Sequence, residues 1–139
     1  MKKTIISTLL VIICLFSLIS CGNQTTDNNL WETATYSEDT VLGEGEKTFL
    51  LEVTAEEKTV TFTVKTDKET VGAALAEQEL IVGEQSEYGL YTKVVNGITA
   101  DFDVNKRYWA FYIDGEYATS GVDTTKITEG TTYQLVYSK

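Results

Sequence analysis

Seven consecutive residues, Thr59 to Lys65, alternate between polar and apolar side chains without a break. A β-strand turns successive side chains to opposite faces, so Val60, Phe62 and Val64 share one face and Thr59, Thr61, Thr63 and Lys65 the other. Such a run reads as a half-buried antiparallel strand. A chain that contains one must supply a partner strand and a cover for the apolar face. The partner precedes it: Thr48–Val53 is a strand candidate, and the polar stretch Ala55–Lys58 is the turn of a hairpin.

The cover follows. Thr66 or Asp67 is a plausible N-cap, with Lys68-Glu69 in the first turn of a helix. Val71, Leu75 and Leu80 mark its apolar stripe, and Ala73, Ala74 and Ala76 are strong helix formers. Gly72 weakens the helix slightly, and Gly83 reads as its stop. Three further strands are expected. Tyr91–Val95 runs into Asn96-Gly97, Arg107–Ile113 runs into Asp114-Gly115, and Thr132–Tyr137 is entered through Glu129-Gly130. The order predicts an α+β, β-grasp-like fold: a five-stranded, mostly antiparallel sheet with one helix packed on one face. The expected domain occupies residues 44–139, with no internal repeat and no low-complexity segment.

The N-terminus has a different character. Lys2 and Lys3 precede a nearly unbroken apolar run, Ile5 to Leu18. That run is too short to span a bilayer, which takes ~20 residues, and suits a signal peptide. It ends in Leu18-Ile19-Ser20-Cys21-Gly22, which resembles the bacterial lipobox, although Ile19 is bulkier than usual. Residues 1–20 are therefore expected to be a lipoprotein signal peptide, with Cys21 acylated as the membrane anchor. Residues 21–43, polar at first and weakly patterned later, are expected to be a flexible tether. The expected location is the extracytoplasmic face of a bacterial, Gram-positive cell membrane.

Composition narrows the chemistry. Of the two cysteines, Cys14 leaves with the signal peptide and Cys21 is the acylation site. No disulfide, zinc–thiolate site or cysteine nucleophile is then expected. The chain has no histidine, which removes the Ser-His-Asp triad and His-ligated zinc. The formal charge of −10, more negative still after loss of Lys2 and Lys3, disfavours nucleic acid as a partner. Asp101-Phe102-Asp103-Val104-Asn105 begins like a calcium loop, but Lys106 stands where glycine is needed and Tyr112 where glutamate is needed. An acidic loop is the reading there, and no metal site is assigned. With no nucleophile–base pair and no phosphate loop, the chain is expected to bind rather than catalyse, and to need no cofactor.

Two faces of the strand Arg107–Ile113 differ in use. Trp109, Phe111 and Ile113 are expected core. Tyr108 and Tyr112, opposite them, form a rigid surface with hydroxyl tips, suited to a planar ligand, to a protein partner, or to plain cross-strand packing.

The segments Gly89-Leu90-Tyr91, Asn96-Gly97, Tyr108–Glu116, Ser120–Asp123, Ile127, Glu129-Gly130, Tyr133 and Tyr137 together resemble the DUF4430 family. That family is similar to the C-terminal domain of transcobalamin and intrinsic factor, the animal cobalamin carriers. The resemblance implies a small ligand-binding domain with cobalamin or another corrinoid as the bound ligand, held for uptake. It also implies that the loop after Asp114 is a ligand rim, which makes Tyr117, Thr119 and Ser120 candidates beside Tyr108 and Tyr112. The expected partners are the membrane, through Cys21, and a small molecule or a surface protein such as a transporter. The alternative is a surface protein–protein interaction module without a small-molecule ligand.

Overall fold

The expected hairpin is the centre of the fold. β2 (Lys47–Ala55) and β3 (Lys58–Thr66) pair antiparallel, with Val53 opposite Val60 and Leu51 opposite Phe62. Their apolar side chains are buried on one face, as the alternation requires. The structure is a computed structural model that describes residues 29–139. The expected signal peptide 1–20, Cys21 and residues 22–28 lie outside the described residues. No helix among the described residues is long and apolar enough to cross a membrane.

The fold is α+β and mostly strand, but its sheets are not the single five-stranded one expected. A six-stranded mixed sheet has the order β1-β3-β2-β9-β7-β8, where β1 is Thr40–Gly43, β7 Tyr108–Ile113, β8 Glu116–Tyr117 and β9 Thr132–Ser138. The pairs β1/β3 and β2/β9 are parallel. A separate antiparallel sheet joins β4 (Ile81–Ser86), β5 (Gly89–Val95) and β6 (Ile98–Thr99). This second sheet and helix α1 (Val71–Glu77) supply Ile81, Val95, Ile98, Val71, Ala74 and Leu75 to the core that β2, β3 and β9 also line. The other face of the large sheet, with Val41, Thr61, Thr63 and Leu50, stays open.

The helix is shorter than its apolar stripe suggests. Its cap is Thr70, whose Oγ1 accepts the Ala73 N–H at 3.3 Å. Thr66 and Asp67 are engaged elsewhere: Thr66 Oγ1 accepts from Lys68 N–H, and Asp67 accepts from Glu46 N–H. The helix closes in a Schellman-type turn, Leu80 N–H to Leu75 carbonyl, with Glu79 at φ +56. Leu80 is thus buried from the chain after the helix. Gly83 is no stop. It lies in β4 at a bulge, where a Cβ would fall 2.3 Å from the Tyr91 carbonyl oxygen. Gly72 is a packing requirement, since a Cβ there would sit 2.8 Å from Asp123 Cα.

The folded part also begins earlier than residue 44. A 3-10 helix spans Leu30–Thr33, and Trp31, 9% exposed, donates its Nε1–H to the Ala55 carbonyl at 3.1 Å. Lys58 Nζ lies 4.7 Å over its ring. Asn96, fully buried, then grips the same segment. Its Oδ1 accepts Tyr36 N–H at 2.9 Å, its Nδ2 donates to Tyr36 O at 2.8 Å, and its carbonyl accepts Thr35 N–H at 3.0 Å. β1 pairs with β3 immediately afterwards. Residues 30–43, expected as tether, are therefore an integral strap.

Candidate functional site

β7 has two neighbours of unequal length. It pairs with β9 along all six residues, but with β8 only through Tyr112 and Ile113. The edge of Tyr108–Ala110 on that side carries no strand. β5 likewise pairs with β6 only through Val94 and Val95, which leaves Leu90–Thr92 without a strand there. These two edges, from different sheets, border one apolar crevice of about 190 Å³. Its walls include Leu90, Tyr91, Tyr108, Trp109 and Phe111, closed by Gly121-Val122.

The walls are held rigidly. Phe111 stacks on Tyr133 at 6.0 Å, and Trp109 meets Tyr137 edge-on at 5.5 Å. Trp109 is 7% exposed, and its Nε1–H has no acceptor. Asp123 follows Gly121-Val122. Its Oδ2 accepts the Leu90 N–H at 3.1 Å, while Oδ1 is buried without a partner. Trp109 Nε1 and Asp123 Oδ1 are the two such side-chain atoms among the described residues; Trp109 lines the crevice, and Asp123 follows its closing pair in the chain. Leaving a buried polar group unpaired costs about 1–3 kcal/mol.

A second, shallower concavity of about 550 Å³ surrounds the β7–β8 hairpin and is lined by Ile113, Glu116, Tyr117, Ala118 and Thr119. The connection is a two-residue turn, Asp114-Gly115 at φ +47 and +85, so the segment expected as one loop after Asp114 opens with a hairpin. Asp114 Oδ1 accepts the Thr132 N–H at 2.9 Å and fixes the turn to β9. Tyr117, 62% exposed, stands edge-on to Tyr112 at 5.3 Å.

The candidate residues thus divide. Tyr112, Tyr117 and Thr119 come together at the hairpin. Tyr108 stands at the crevice, four residues from Tyr112 along the same face. Ser120 lines neither concavity; its Oγ is 3.0 Å from Thr125 Oγ1, part of the loop's own bonding. Cys21 lies outside the described residues. Leu90, Tyr91, Gly121 and Asp123 were not foreseen as site residues, although Gly89–Tyr91 and Ser120–Asp123 are among the segments that carry the family resemblance.

Charge near the crevice is already committed. Lys93 Nζ lies 3.2 Å from Glu84 and 3.3 Å from Asp101. Its pKa is raised, chiefly by the hydrogen bond to Glu84, against partial desolvation and with help from Asp101. The expected acidic loop is a short helix, α2 (Phe102–Asn105), capped by Asp101. Among the described residues, no group of three or more Asp, Glu, Cys or His side chains could hold a metal ion.

Comparison with known proteins agrees with this architecture. A crystal structure at 1.30 Å of a "putative metal binding protein" from Ruminococcus gnavus ATCC 29149 superposes with a TM-score of 0.64 at 28% identity, over 68% of this chain and 98% of that one. Haptocorrin in complex with Cbi superposes with a TM-score of 0.56 at 16% identity, over 70% of this chain and 26% of that one. That second likeness is one of fold, and the chain spans about a quarter of haptocorrin. No curated protein matches. The model of DUF4430, a domain of unknown function, matches residues 69–139, just over half of the sequence. The chain belongs to the DUF4430 family.

Proposed function

We propose that the protein is a lipid-anchored extracytoplasmic lipoprotein whose domain binds a small molecule in the crevice between β5 and β7. The observation that carries this reading is the crevice itself: apolar and aromatic walls that include Trp109, whose indole N–H is unpaired. Binding sites combine apolar lining with a few placed polar groups in this way. A corrinoid such as cobalamin, held for uptake, is the first ligand to test, because haptocorrin shares the fold. A cavity of 150 Å³ accommodates a benzene ring, so a molecule of corrinoid size would insert one arm and rest outside on Tyr91 and Tyr108. The β-grasp-like relation belongs to the same reading, since β2 and the C-terminal strand β9 run parallel beneath α1 and the second sheet. Anchoring at Cys21 holds the site at the cell surface. The role is binding, not catalysis, and requires no cofactor.

The exposed Tyr112–Tyr117 pair favours a second reading, a surface module that binds another protein or a transporter without a small-molecule ligand. One experiment separates them. Cells that express the full-length protein are incubated with labelled cobinamide and fractionated. The account expects protein and label together in the membrane fraction, and both in the soluble fraction for Cys21→Ala. A Cys21→Ala protein that stays with the membranes would contradict anchoring. Protein without label in either fraction would leave the corrinoid reading without support and favour the protein-binding one.

A further inference from the structure

Strand register gathers several segments at one end of the fold. Trp31 Nε1–H bonds the Ala55 carbonyl, so Asn29–Trp31 lies at the last residue of β2. β2 runs parallel to β9 with Thr54 opposite Val136, so Tyr137 and Ser138 reach the same end. Tyr108 stands opposite Ser138, so β7 starts there, shortly after α2. The Asp114-Gly115 turn, beside the Ile113–Tyr133 pair, closes the far end. Asn29 is eight residues after Cys21, a distance the chain spans in at most about 28 Å. A lipid at Cys21 therefore tethers the domain by the end that carries α2.

The surface of α2 suits that position. Phe102 is 49% exposed and Val104 81%, two large apolar side chains on a helix of one turn. Lys106 and Arg107 follow directly, and neither is in an ion pair among the described residues. Lys106 Nζ lies 5.2 Å over the Phe102 ring, and the Arg107 guanidinium 5.7 Å over that of Tyr137. Asp101 is committed to Lys93, which leaves Asp103 as the one acid within residues 102–107. The segment is thus net positive on a chain of net charge −10. Glu56 and Glu57 occupy the same end at the β2–β3 turn, but β9 stands between β2 and β7 and sets them apart from α2. Apolar side chains beside long cationic ones form the pattern of an element that lies in the lipid interface. The apolar groups enter the acyl boundary, and the cations reach back to the headgroups.

We infer that α2 is a membrane-docking element: Phe102 and Val104 enter the surface of an anionic lipid bilayer, and Lys106 and Arg107 meet its headgroups. The orientation rests on the anchoring at Cys21 proposed above. Phe102 N–H donates to Tyr91 Oη at 3.4 Å, so a docked α2 sets the crevice beside the bilayer.

The full-length protein, ¹⁵N-labelled, is placed in nanodiscs of phosphatidylcholine and phosphatidylglycerol that carry a gadolinium chelate on some headgroups. The amide signals of Phe102–Arg107 are expected to broaden, and those of Asp114–Tyr117 to stay sharp. Phe102→Ser combined with Val104→Ser is expected to reduce the broadening at residues 105–107 by about threefold or more. The protein should remain in the disc fraction with both indole N–H signals in place, which separates lost docking from lost fold. Lys106→Gln combined with Arg107→Gln is expected to act only in discs that contain phosphatidylglycerol, each cation near an anionic surface being worth about fivefold. Serine at Val41 and Leu50, exposed on the open sheet face, is expected to change nothing. Equal broadening at both ends of the fold, broadening centred on Val41 and Leu50, or broadening at residues 105–107 that survives the Phe102 and Val104 substitutions would overturn docking. The Cys21→Ala chain, titrated with the same discs, separates docking from anchoring. Native protein outside the disc fraction, with Cys21→Ala still broadened at residues 102–107 by excess discs, would remove anchoring alone. Native protein held in the discs with no preference for α2 would remove docking alone. No broadening at residues 102–107 in either chain would overturn the proposal.

Discussion

Replacing Asn96 with alanine is expected to lower the free energy of unfolding by about 3–4 kcal/mol, read from urea unfolding with an unchanged m-value. The side chain bonds both backbone groups of Tyr36, and both bonds are lost together. Each group left unpaired away from water costs about 1–3 kcal/mol. A second cost comes from the backbone, because Asn96 holds φ +50 in its turn, a conformation that asparagine tolerates and alanine pays about 1 kcal/mol to adopt. Asn96→Gly separates the two contributions. It relieves the backbone and still loses the side-chain bonds, so it should fall between alanine and the native residue. A loss below about 1 kcal/mol for alanine would mean that the strap is not held there.

Replacing Trp31 with alanine is expected to cost about 3–5 kcal/mol, the range for removing a large buried aromatic side chain. Trp31 closes the core beneath the β2–β3 turn, and its Nε1–H supplies the hydrogen bond to Ala55. Trp31→Phe keeps most of the packing, loses that bond, and should cost only about 1 kcal/mol. Because Trp31 and Asn96 hold two ends of one strap, the double substitution should cost less than the two single ones combined. Strict additivity would show two independent contacts, and a neutral Trp31→Ala would restore residues 30–43 to the status of a tether.

Those two residues show where the sequence is legible and where it is not. Thr59–Lys65 is a long run with a period of two, Arg107–Ile113 and Thr132–Tyr137 are rich in aromatic and β-branched residues, and β3, β7 and β9 form there. β6 and β8 have two residues each, too few for any period to register. β1 pairs in parallel with β3, a long-range choice that no local pattern encodes. Trp31 and Leu42 lie in a mostly polar stretch with no regular apolar spacing, so no period marks their burial. The Asn96-Gly97 turn was legible, but its role as a clamp depends on Tyr36, 60 residues away. The helix boundary differs because Thr66, Asp67 and Thr70 are all competent caps; Thr66 is taken by a local bond from Lys68 N–H and Asp67 by a long-range one from Glu46 N–H, which leaves Thr70.

The site follows the same logic. The aromatic content of β7 is evident, and so is the hairpin that carries Tyr117. The crevice is assembled from Leu90–Thr92, Tyr108–Phe111 and Gly121-Val122, three segments brought together at the junction of two sheets. Asp123 reads as an ordinary loop acid until its Oδ2 is found on Leu90 and its Oδ1 on nothing.

The most direct test of the central claim is a crystal structure of the protein grown with cobinamide. The account predicts ligand density at the crevice between Leu90–Thr92 and Tyr108–Phe111, against Tyr91 and Tyr108. An empty crevice, or cobinamide seated instead against Tyr112 and Tyr117, would contradict it.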